Sequence, residues 1–185
     1  MLVMVDEQTG DKYARAVGQK GTGGGEQMEW LLNDMCEELK VGGHQAGENG
    51  HVIFKSDGES SIEAVKAALA KKLGGKVVLD RPPKGESQSN SVAEEGGKMV
   101  REFVKLMRDV TESKANVKLD GSHAIIYWMI RWAAVALTRF MVGVDGLTAY
   151  ERRRGRRCRI PMAAFGETVW YKKAGKPKDR NNMDI

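Results

Sequence analysis

A chain of 185 residues holds one hydrophobic core and falls short of two comfortable ones. Its two cysteines show no CxxC spacing and no secretory leader pattern precedes the apolar LVMV start, which excludes a disulfide framework or zinc knuckle and predicts an intracellular protein. The net charge of +5 is unevenly spread: residues 1–95 carry 11 Lys/Arg against 16 Asp/Glu, and residues 96–185 carry 19 against 9. Such a division suits a polyanion held by metal on one side and gripped on the other, or is plain clustering of solvated charge.

In chain order, Leu2–Val5 and Lys12–Val17 are short apolar or alternating runs joined by DEQTGD, a turn composition, and predict a β-hairpin. GQKGTGGG at 18–25 reads as a loop, without the spacing of a phosphate loop. From Glu26 to Val41, Met28, Leu31, Leu32, Met35 and Leu39 recur at helical spacing, and Gly42-Gly43 ends the helix. After the polar HQAGENG comes the strand VIFKSD, ending in Asp57. A helix capped by Ser60 or Ser61 then runs to about Leu73, followed by a short strand at Lys76–Leu79 and a loop, RPPKGES, whose prolines forbid regular structure.

The next helix is expected from about Gln88 to Val110. At 100° per residue Glu94, Lys98, Arg101, Lys105 and Arg108 share one stripe, and Val92, Met99, Phe103, Leu106 and Val110 lie opposite as the expected core face. The apolar run at 123–143 approaches membrane-spanning length, but Arg131 at its centre is costly in lipid, about 2.5–3.5 kcal/mol on insertion scales. It therefore reads as a buried core helix. Six arginines follow within residues 152–159, then AFGETVWYKK, read as a final strand. Residues 1–145 are thus expected as a core, 146–175 as a basic connector with the last strand, and 176–185 as a disordered tail. His44, His51 and His123 have no metal spacing and read as loop or cap residues.

Asp57 at a strand end and Glu94 at a helix start are what half of a site for Mg²⁺ or Mn²⁺ requires, since these hard cations take carboxylate oxygens and act on phosphodiesters, although a strand ending in Asp is common in any α/β protein. The order strand-SDGES, helix, strand, QSNSVAEE, with 36 residues between the two carboxylates, resembles the retroviral and retrotransposon integrase catalytic core of the Asp-Asp-Glu class. TAYERRRGRR and AFGETVWY are similar to segments that close the retrotransposon cores. The resemblance implies an α/β, ribonuclease H-like mixed sheet flanked by helices, and metal-dependent DNA strand transfer with Asp57 and Glu94 as catalytic metal ligands. It further implies DNA contacts from Lys98, Arg101, Lys105, Arg152, Arg153 and Arg156, a homo-oligomer, and a nuclear location. No membrane or small-molecule substrate is expected.

Asp6, with 50 residues between it and Asp57, has the spacing of the family's first Asp. The order of elements reads it differently, because a single strand follows it before the glycine loop, and LVMVDEQTGDKYARAV resembles the family's second-to-third strand hairpin with Asp6 at its turn. Asp6 is then only a remote third ligand. The sheet is expected to be incomplete at its first strand, with two unpaired edges, and the chain to be a weak or inactive catalyst. Ser91 in place of the family's Gly, and Gly96-Gly97 inside the helix, at roughly 1 kcal/mol each relative to Ala, suit a weakly constrained copy. The alternative is a non-enzymatic nucleic-acid-binding remnant, and the blandest is an unfolded fragment.

Overall fold

A computed structural model describes residues 1–18, 21, 23, 25–44, 52–74, 77–80 and 90–170. Strands β1 (Leu2–Val5) and β2 (Lys12–Arg15) form the expected antiparallel hairpin, with Leu2 opposite Arg15 and Val5 opposite Lys12. Helix α1 (Gly25–Gly42) follows, then β3 (Val52–Lys55), α2 (Ser60–Leu73) and β4 (Val77–Asp80). Parallel β3 and β4 pair Val52 with Val77 and Lys55 with Asp80. The remainder is helical: α3 (Ser91–Ala115), α4 (Ala124–Phe140) and the short α5 (Ala149–Arg154).

Strand periodicity divides the hairpin between two cores. Leu2, Met4 and Tyr13 pack with Met28, Leu31, Leu32, Met35 and Leu39 of α1 and with Val65 and Leu69 of α2. Val3, Ala14 and Ala16 point the other way, into a core made by Val100 and Met107 of α3 and Met129, Ile130, Ala133 and Ala134 of α4. Coverage on both faces is why the hairpin reads as apolar rather than strictly alternating. The β3–β4 pair contributes Phe54, Val52 and Val77 to the first core, whereas the facing pair Ile53 and Val78 is 57% and 46% exposed. Among the described residues β1 pairs only with β2 and β3 only with β4, so the sheet is split in two and each of these strands has a free edge.

Four expectations are corrected. The core face of α3 is formed by Gly96, Gly97, Val100 and Met107 with Phe103, which packs inward as expected, while Val92, Leu106 and Val110 are exposed. The reason is a close approach: a Cβ on Gly96 would lie 2.5 Å from Val5 Cγ2, so the helix rolls its small residues onto β1. The same contact gives Gly96 a packing role that its helix propensity hides. Helix α4 is buried along one side only, with Tyr127, Trp128 and Arg131 facing outward. Neither serine caps α2, whose N-cap residue is Glu59. Finally, residues 161–170 form no strand; Glu167 N–H donates to Ala164 O at 3.0 Å across a turn at Phe165-Gly166, and the Phe165 ring meets Trp132 edge-on. With Phe165 as an aromatic anchor in the second core, this segment is held by docking rather than by strand pairing.

His123 acts as the expected cap, its Nδ1 accepting from Ile125 N–H at 3.2 Å. Half of the glycine loop at 18–25, most of HQAGENG, His51, Lys76, RPPKGES, Gln88 and the tail from 171 lie outside the described residues.

Candidate functional site

The two carboxylates stand where their elements end. Asp57 lies two residues beyond β3, before Gly58 and α2, and Glu94 is in the first turn of α3. Both are exposed, and among the described residues neither side chain has a hydrogen-bond or ion-pair partner. Their elements each contact the β1–β2 hairpin. Lys55 Nζ pairs with Glu7 at 3.1 Å, and the second turn of α3, the turn after the one that carries Glu94, abuts Val5 at Gly96. Unpartnered oxygen donors of this kind fit Mg²⁺ or Mn²⁺, which are commonly held by one or two carboxylates with water and phosphate completing the shell.

Asp6 is occupied otherwise. Its Oδ1 accepts from Gln8 N–H at 3.2 Å, and its Oδ2 accepts from Thr9 N–H at 3.3 Å and from the Thr9 hydroxyl. His44 Nε2 lies 3.6 Å from the same Oδ2. This is the side-chain turn that Asp makes at hairpin tips. Among the described residues no three His, Cys, Asp or Glu side chains come together as a metal-holding group.

The cations separate into two kinds. Lys98, Arg101 and Lys105 are exposed along one side of α3, Lys98 making only a loose 4.0 Å contact with Glu102, and Arg156 is exposed after α5. Arg152 and Arg153 are instead tied to the hairpin turn and the α4–α5 loop. Arg152 holds both Asp145 oxygens, at 2.8 and 2.5 Å, and donates to Thr9 O at 2.8 Å. Arg153 pairs with Asp11, their side chains only 13% and 15% exposed. The Arg152 guanidinium holds the Asp145 carboxyl down at about 2. Helix α5 itself starts in a capping box between Thr148 and Glu151 and stops at Gly155, whose φ of +65° favours glycine.

A cluster around Lys66 was not singled out in the sequence. Its buried ammonium meets Glu63, Ser56 and the Asp80 carbonyl directly beside Asp57. The signal was present: a lysine three residues after Glu63 and three before Leu69, on the inward stripe of a helix.

No protein-family model and no curated protein matches the chain. Among solved structures it is similar to the catalytic core domain of BIV integrase, at 16% identity and a TM-score of 0.50, over 82% of each chain. The chain has an integrase-like, ribonuclease H-like α/β fold.

Proposed function

We propose that this chain is a retrotransposon integrase core whose reaction is attack of a DNA 3′-hydroxyl, or of water, on a phosphodiester. The observation that carries the proposal is the pair Asp57 and Glu94, two exposed carboxylates without protein partners among the described residues, on elements that each contact the β1–β2 hairpin, at Glu7 and at Val5, in an integrase-like fold. They would hold Mg²⁺ or Mn²⁺, which when bound lowers the nucleophile's pKa and neutralises charge on the scissile phosphate. Lys98, Arg101 and Lys105 extend the same helix that presents Glu94, so a DNA backbone lying along α3 is gripped where its phosphate meets the carboxylates. Arg156 adds a contact from beyond α5. A homo-oligomer and a nuclear location accompany this reading.

As an isolated chain the catalyst is weak, because the carboxylate spaced to be third, Asp6, spends its oxygens on its own turn. Residual Mn²⁺-dependent nicking of supercoiled DNA is expected to fall to background in Glu94→Gln; nicking that survives this change removes the assignment.

The same feature of Asp6 favours a second reading, a DNA-binding protein without catalysis. It predicts affinity that falls steeply with salt and is unaltered by Asp57→Asn, in protein that gives no nicking at any metal concentration.

A further inference from the structure

Helix α2 turns a lysine toward the core. Lys66 is buried between Val65 and Leu69, and three acceptors surround its ammonium: Glu63 Oε1 at 2.7 Å, Asp80 O at 2.9 Å and Ser56 Oγ at 3.1 Å. An ammonium has three protons to give, so its donors are used in full. Ser56 Oγ in turn lies within donating reach of the Asp57 carbonyl, 2.9 Å, and of Glu63 Oε1, 3.0 Å. Asp80 is the last residue of β4 and faces Lys55 across the ladder. One cation therefore joins α2 to the ends of both strands, directly under the residue that presents the Asp57 carboxylate.

Two facts make this more than packing. Burying an ammonium is costly even when paired, and apolar side chains of similar volume often stabilise such positions better. Meanwhile β3 is a four-residue strand paired on one side among the described residues, so the ladder gives Ser56 and Asp57 no support beyond Lys55. What the buried cation supplies is a fixed end for a strand that lacks one.

We propose that Lys66 is a positioning residue for divalent-cation binding by Asp57, acting through the Ser56 hydroxyl and the carboxy-terminal end of β4. The inference rests on the metal reading above. Partners that orient metal ligands commonly contribute 10–100-fold in affinity, and the site here is open enough for that support to matter.

The test is Mn²⁺ affinity of the full chain by electron paramagnetic resonance, beside near-ultraviolet circular dichroism melts in EDTA, for Lys66→Met, Ser56→Ala and Asp57→Asn. Ser56→Ala keeps the Lys66–Glu63 pair and guards against a Lys66→Met protein that fails to fold. Expected is a Mn²⁺ Kd raised roughly 10-fold or more in Lys66→Met, with a smaller rise in Ser56→Ala, whose metal-free melt stays cooperative at a lowered midpoint because one Lys66 proton loses its acceptor. A rise in Lys66→Met alone also supports the proposal, with β4 as the route. Folded Lys66→Met binding Mn²⁺ as the wild type does overturns it, as does wild-type affinity in Ser56→Ala when Lys66→Met is unfolded. Should Asp57→Asn leave Mn²⁺ binding unchanged, the metal reading fails and this inference with it; loss of binding in Asp57→Asn alone defeats only the role of Lys66.

Discussion

At the scale of single residues, the arginine-rich segment divides by what each side chain already holds. Arg153 and Asp11 form a largely buried ion pair linking α5 to the hairpin. Arg153→Ala leaves the Asp11 carboxylate buried and unpaired, and is expected to lower stability by about 3 kcal/mol or more in urea unfolding. The folded fraction should retain the wild-type salt slope of DNA binding. Lys98→Ala, by contrast, should leave stability within about 0.5 kcal/mol and reduce that slope by about one. The sequence showed the arginine cluster but not this division, because the partners of Arg152 and Arg153, at Thr9 and Asp11, are more than a hundred residues away. Asp6 was legible for the opposite reason. Its turn bonds reach only Gln8 and Thr9, and DEQTG carries them in plain sight. Lys66 was hidden because its acceptors belong to three different elements or their ends.

At the scale of elements, α3 decides most. Its acidic head and basic stripe were legible from helical spacing, whereas its core face was not, because the deciding contact is with Val5 on β1. The two glycines should therefore behave oppositely. Gly96→Ala gains helix propensity of about 1 kcal/mol but forces a methyl into Val5, whose β-branched side chain yields poorly. A net loss of about 1–2 kcal/mol is expected. At Gly97 the nearest atom to a new Cβ is the mobile end of Arg101, at 3.4 Å, so Gly97→Ala should stabilise by about 0.5–1 kcal/mol. Denaturant melts of both variants check the pair, and stabilisation by Gly96→Ala would contradict the packing.

The far end of α3 is fixed by Glu112, which accepts from Lys118, Arg108 and the Leu119 amide and is thereby held down at about 2. A carboxyl depressed in the folded state stabilises fully above its unfolded value of about 4.3, and that contribution disappears as pH falls through the folded value. Acid titration of the melt should accordingly show stability declining between about pH 4.5 and 2. In Glu112→Gln the decline over that window should be shallower; an unchanged profile would assign the acid sensitivity elsewhere.

At the scale of the whole molecule, the order of elements through α4 was readable, since each of those strands and helices carries its own period and its own stops, whereas α5 lay hidden in what reads as a basic connector. The final strand was misread because AFGETVWY has strand composition, while Phe165 is drawn to Trp132 instead. What no local pattern states is how strands pair. Here the hairpin and the β3–β4 pair share one core through α1 and α2 without hydrogen-bonding to each other among the described residues. Among the described residues the edges of β1 and β3 are unpaired and the Ile53–Val78 pair is exposed, the kind of surface that other strands pair with in general.

The reading proposed above rests on a divalent cation held by Asp57, past the end of β3, and Glu94, at the head of α3. It is tested most directly by the melting temperature with and without Mn²⁺, for the wild type, Asp57→Asn and Glu94→Gln. A ligand at one hundred times its Kd adds about 2.7 kcal/mol, which for a domain of this size is a rise of several degrees. That rise is expected in the wild type and is expected to be lost in both variants. A wild-type melt indifferent to Mn²⁺, or a rise that both variants retain, would contradict it.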